Sequence, residues 1–143
     1  MNKPTEGSTP NISNFTPQTG EATAAKPAAD LGSVIINAIQ DRKGTRVTDI
    51  DLTELDTAPA HEFIVCTGRS TSQVSAIADN IRETVQKELG IKPFNYDGYR
   101  NSQWIVIDYG NVMVHVFLPE TREFYGIEDL WSDARIEEIP DLD

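Results

Sequence analysis

With one cysteine among 143 residues the chain cannot form an internal disulfide, which excludes the small disulfide-stapled scaffolds of secreted proteins. Cys66 lies in the apolar run Phe63-Ile64-Val65-Cys66, where a small thiol reads as core and a reducing compartment fits. No run of about 18 apolar residues is available to cross a bilayer, and no charged start leads into the apolar stretch of a secretory signal. A soluble protein is expected. Positive charge is scarce too: Lys and Arg number 12 against 23 Asp and Glu, for a net charge of −11. Gripping phosphates over a broad surface needs clustered cations, so direct sequence-specific nucleic-acid binding is disfavoured and a basic protein partner is favoured.

What remains has room for one domain with a real core. Residues 1–29 are mostly Pro, Thr, Ser, Asn, Ala and Gly without hydrophobic periodicity, the composition of a disordered tail. The tail carries acids and no Arg, which argues against a mitochondrial transit peptide, while its Ser and Thr content is compatible with a plastid one. The folded domain is expected over 30–135, with an acidic C-terminal tail over 136–143 that frays in isolation. After Asp30 as N-cap, Leu31, Val34, Ile35, Ala38 and Ile39 predict a helix to about 43, stopped by Gly44. Strands are predicted over 46–52 and, buried on both faces, over 62–67. Ser70-Thr71-Ser72-Gln73 has the form of a capping box, and Val74, Ile77, Ala78, Ile81, Val85 and Leu89 continue as one apolar stripe to Gly90. A short strand over 94–97 precedes two more, 104–108 and 112–118, joined by a hairpin at Tyr109-Gly110-Asn111. Ile127, Leu130 and Trp131 belong to a short helix over 128–132. The order predicts an α/β fold, one mixed sheet of about five strands with flanking helices.

Candidate chemistry is sparse. Asp49 and Asp51 share one side of a strand, the spacing with which nucleotidyl-transfer enzymes hold divalent metals. In such enzymes the Gly-Ser turn precedes the carboxylates; here Gly68-Arg69-Ser70 follows them, and no second such motif comes after Ser70, so no metal site is assigned. His61 stands in a turn without a second ligand nearby and reads as surface. His115 shares a strand face with Met113 and Phe117, a face read as exposed or semi-exposed, where Asp108 is the nearby acid that could serve a histidine base. Trp104, Tyr109, Met113, His115 and Phe117 together are either the aromatic material of a protein-binding hot spot or a core layer beneath a helix, and the residues alone leave both open. Residues 120–143 hold nine acids and two arginines, Arg122 and Arg135, a solvated edge that could also complement a basic partner.

Three segments carry a resemblance. They are Thr67-Gly68-Arg69-Ser70 through Ala76-Ile77-Ala78-Asp79-Asn80-Ile81, then Trp104 through Phe117, then Glu120-Thr121-Arg122-Glu123-Phe124-Tyr125 with Leu130-Trp131. In order and spacing, over about residues 31–133, they resemble the ribosomal silencing factor family, also called RsfS, YbeB or Iojap. The resemblance implies an outline like that of nucleotidyltransferases without their catalytic motif, and a binder that needs no cofactor rather than an enzyme. A nucleotidyltransferase-like enzyme or nucleotide-binding protein is the alternative. It further implies attachment to ribosomal protein L-fourteen of the large subunit, a block on joining of the small subunit when nutrients are limiting, a homodimer when free, and the bacterial cytoplasm before a plastid as location. The family's partner-facing tryptophan corresponds to Trp104, with Tyr109, Met113, His115 and Phe117 around it. Arg69 stands where a small residue is common, and Ser72-Gln73 replaces a frequent Arg-His pair, so no role is carried over to that turn.

Overall fold

Strands with no apolar alternation have to be covered on both faces, and the two that read that way, β2 (Glu62–Thr67) and β5 (Val112–Phe117), lie side by side in the middle of the sheet. The computed structural model describes residues 28–142. Around the central pair stand α1 (Ala28–Asp41), β1 (Thr45–Asp51), α2 (Thr71–Leu89), β3 (Asn95–Asp97), β4 (Trp104–Asp108), α3 (Pro119–Tyr125), α4 (Ile127–Leu130) and β6 (Arg135–Ile139). The strand order is β3-β4-β5-β2-β1-β6; β2 runs parallel to β5 and the other neighbours are antiparallel. The mixed α/β class is as expected.

The chain between β2 and β5 includes α2, and α2 begins as its capping signature predicts. Ser70 Oγ accepts from Gln73 N at 3.1 Å, while the Gln73 amide oxygen takes the Arg69 N–H at 2.6 Å, one residue earlier than a standard box. Gly90, at φ 69°, closes the helix with its N–H on the Gln86 carbonyl. The stripe from Val74 to Val85 and the buried face of α1 cover Ile64, Cys66, Ile105, Ile107, Val114 and Val116 on one side of the sheet. At the tip of the β4–β5 hairpin, Gly110 adopts φ 89° and donates to the Asp108 carboxylate at 2.8 Å.

Three expectations need correction. The sheet has six strands, because residues 135–139, all but the first within the expected frayed tail, pair with β1 from Val47↔Ile139 to Asp51↔Arg135. Side-chain burial did not betray this strand: it is exposed at every position but Ile139, and backbone pairing holds it, helped by Gln40 Nε2 on the Pro140 carbonyl at 3.2 Å. Second, α1 starts at Ala28, so Asp30 lies within the helix instead of capping it. The rest of the expected N-terminal tail, residues 1–27, lies outside the described residues.

Third, the sheet face opposite α1 and α2 is not open. Ile50, Phe63, Val65, Trp104, Val106, Met113 and Phe117 lie beneath Ile127, with Leu55, Tyr125, Trp131 and Ala134 packed at the margin. The cover is fastened by Arg122 on α3. Its Nε and Nη2 donate to the two Glu128 carboxylate oxygens at 2.8 Å each. Nη2 also reaches Thr48 Oγ1 at 3.0 Å, and Nη1 reaches Thr67 Oγ1 at 2.9 Å and the Arg46 carbonyl at 2.8 Å. All five guanidinium N–H groups are thereby used. The Arg46 carbonyl is within reach because β1 bulges between Thr45 and Thr48, with Arg46 in the left-handed region at φ 52°.

Arg122→Ala leaves two buried threonine hydroxyls and the Glu128 carboxylate without their donor and is expected to cost about 3 kcal/mol or more in urea unfolding. Arg122→Lys, with three donors on a point charge, is expected to recover only part of the loss.

Candidate functional site

The aromatic residues singled out in the sequence form a layer, but a buried one. Trp104 on β4 stacks on Phe117 of β5 with centroids 4.9 Å apart and meets Tyr125 of α3 at 5.1 Å. Phe63 of β2 lies 4.5 Å from the His115 ring and meets Trp131 edge-on at 6.1 Å. Trp104 is 4% exposed, and Met113, His115 and Phe117 are closed to solvent. The expectation of an exposed or semi-exposed face is corrected: strand alternation put Met113, His115 and Phe117 together rightly, and the segment after β5 folds back over them. Tyr109 parts from the set, because it packs with the core beneath α1 and α2 on the other side of the sheet.

His115 is held by Trp104, whose indole N–H donates to Nδ1 at 3.0 Å. That bond places the histidine hydrogen on Nε2, which is buried without a partner. Burial away from water pushes the imidazole pKa down to about 3, so the ring is neutral near neutrality. Asp108, the acid considered for it, instead accepts from Gly110. The arrangement is a packed, hydrogen-bonded strand histidine and offers no general base.

Above this layer the surface changes character. Phe124 is 39% and Leu130 72% exposed, beside half-buried Tyr125 and Trp131. Phe124 packs edge-on against Tyr125 at 4.9 Å. Exposed acids Glu120, Glu123, Asp129 and Asp133 are interleaved along the same segment. In the sequence these residues stand within a resemblance motif and a charge run, read as a solvated edge that could also complement a basic partner, with no part given to its aromatics. The signal that could have found them is the interleaving of large rings with acids.

The paired acids of β1 lie at a different place, an open cavity of about 420 Å³ whose lining includes Asp49, Asp51, His61, Glu62, Arg135 and Glu137. His61 is exposed, as expected. Glu62 is the perturbed group: burial, then a hydrogen bond to Asp49 and the charges of Asp49 and Asp51, push its pKa up to about 8. Asp51 is held below the usual carboxylate range by the Thr53 hydroxyl at 2.6 Å and the Thr53 N–H. Among the described residues no three His, Cys, Asp or Glu side chains converge as a metal ion would require.

Because Glu62 holds its proton in the folded state up to about pH 8 and loses it near 4.5 when unfolded, the folded form binds the extra proton between those values. Stability from this group is full below about 4.5 and lost as pH rises through about 8. Glu62→Gln is therefore expected to match the parent at acid pH and to exceed it in thermal unfolding above pH 8. For Trp104→Ala, removal of the layer's central ring and of the His115 bond is expected to cost about 3–5 kcal/mol, read in denaturant unfolding.

Residues 25–143 match the family profile described as "Ribosomal silencing factor during starvation". The chain is 34% identical over 110 residues to "Ribosomal silencing factor RsfS" of Halalkalibacterium halodurans, covering 77% of this chain and 92% of that protein. To the protein of the same name from Chromobacterium violaceum it is 35% identical over 106 residues, 74% of this chain and 85% of the other. A crystal structure of a Chromobacterium violaceum protein superposes with a TM-score of 0.70 at 33% identity, covering 75% of this chain and 88% of that one. A family profile matched over most of the chain and relatives aligned over most of both chains agree: the chain belongs to the ribosomal silencing factor family.

Proposed function

We propose that the chain binds the large ribosomal subunit through the basic ribosomal protein L-fourteen and, by its bulk, keeps the small subunit from joining, lowering translation when nutrients are limiting. The reading rests on one observation above all, the patch of Phe124, Tyr125, Leu130 and Trp131 interleaved with exposed acids. Large rings in a central patch supply most of the affinity of protein interfaces, and a rim of carboxylates speeds encounter with a basic surface and fixes its orientation. Trp104, Met113, His115 and Phe117 then serve docking from beneath: they set the height and tilt of Tyr125 and Trp131 and do not themselves meet the partner. Tyr109, on the far side of the sheet, stands outside the surface.

The mechanism is exclusion of volume, so no turnover or cofactor enters it, and it acts in the cytoplasm, where subunits join. In the free chain a second copy seated on the same patch would hide its apolar area, which makes dimer and subunit complex alternatives.

Purified chain mixed with separated subunits is expected to sediment with the large subunit and not with the small, and to reduce the fraction of joined ribosomes. Phe124→Ala combined with Leu130→Ser changes exposed positions only and adds no charge; it is expected to keep the native unfolding midpoint and weaken large-subunit binding by about 2 kcal/mol, roughly thirtyfold. Undiminished co-sedimentation of that folded variant would remove the patch from the interface.

A further inference from the structure

The turn for which the sequence suggested no role, Gly68-Arg69-Ser70, meets a second turn at one end of the molecule. Gln73 joins them. Its amide nitrogen donates to the carbonyls of Arg42 and Lys43 at 3.0 and 3.2 Å, and its amide oxygen accepts from the Arg69 N–H at 2.6 Å. The second turn, between α1 and β1, is itself closed tightly, with Lys43 N on the Gln40 carbonyl and Gly44 N on the Ile39 carbonyl, both at 3.0 Å. Arg42, Lys43 and Arg69 are thus brought together from α1–β1 and β2–α2, and all three are exposed.

Their electrostatic setting is unusual for this chain. Against a net charge of −11, three of its 12 cations stand in one place. None of the three forms an ion pair among the described residues, where the salt bridges are Arg82–Asp79 and Arg122–Glu128. The nearest acid in sequence is Asp41, and Asp141 is engaged with the Arg46 N–H at 2.9 Å. Solvated faces normally mix both signs; here cations are grouped and left free while carboxylates predominate elsewhere. The side chains of Thr71 and Ser72 beside them are also exposed and can donate to phosphate oxygens.

We propose that Arg42, Lys43 and Arg69 form a contact for the phosphodiester backbone of ribosomal RNA, made in addition to the protein contact and independent of base sequence. The inference rests on binding to the large subunit as read above. It reconciles an acidic chain with an RNA-rich target: the acids repel RNA over most of the surface, and the corner admits it in one orientation. Each phosphate neutralised releases condensed counterions, so such a contact has a salt signature that an apolar patch lacks.

The test compares the full chain with a triple variant, Arg42→Gln, Lys43→Gln, Arg69→Gln, in equilibrium sedimentation with purified large subunits over about 50 to 200 mM potassium chloride. The substitutions leave the bonds of Gln73 in place, since Gln73 holds only the backbone of these residues. The variant is expected to bind at least about fivefold more weakly at the low-salt end and to have a slope of log K against log salt shallower by about 2–3. Phe124→Ala with Leu130→Ser, which changes no charge, should instead lower affinity with the slope unchanged. Unaltered affinity and slope in the triple variant, or weakened binding without a change in slope, would overturn the RNA contact while leaving the protein contact in place. Failure of the parent chain to sediment with large subunits would overturn both.

Discussion

Arg122 sits where β1, β2 and the segment after β5 come together, and its five N–H groups are each matched by an acceptor from one of them. A guanidinium removed from water is tolerated only when its donors are used and its charge is met, and here Glu128 supplies the charge while two threonines and a backbone carbonyl supply the rest. The bulge at Arg46 belongs to the same arrangement, since without the left-handed residue the carbonyl would turn into the ladder. The cover over Trp104, Met113, His115 and Phe117 depends on it. So does the dryness that keeps His115 neutral.

What could be read in the sequence follows from how local each signal is. The capping residues and stripe of α2, the hairpin at Gly110, and the uninterrupted apolar strands β2 and β5 are set by neighbours within a few positions, and each stands where expected. β6 escaped notice because what defines it is backbone pairing with a distant strand, while its own side chains are polar and exposed. The aromatic face was legible as a set and not as a burial state. Periodicity assigns residues to one side of a strand, but whether Ile127, Tyr125 and Trp131 return to cover that side is decided by Arg122, whose partners lie across the fold. Tyr109 was misplaced for a related reason: it follows the last residue of β4, where alternation passes it to the helix side.

The molecule sorts its charges by the company they keep. Acids of residues 120–133 accompany large rings on the covered side of the sheet, suited to a basic protein. Glu62, beside Asp49 and Asp51, keeps its proton in a cavity on the opposite side, a local relief of repulsion between carboxylates that strand pairing brings together. Cations gather where the two turns meet at Gln73. Under the proposed mechanism such a division would fix orientation on the target, and orientation decides what the chain's bulk obstructs.

The pairing of β6 with β1 orders the assembly of the fold in time. β1 has its antiparallel partner β2 next in the chain, yet its other edge is matched by residues 135–139. During synthesis that edge presents unpaired amides and carbonyls until nearly the whole domain exists, and any strand-like neighbour could take the vacancy. The left-handed Arg46 and the carboxylates of Asp49 and Asp51 along β1 make it a poor template for such a stranger, so the irregularities that serve the finished protein also guard the unfinished one.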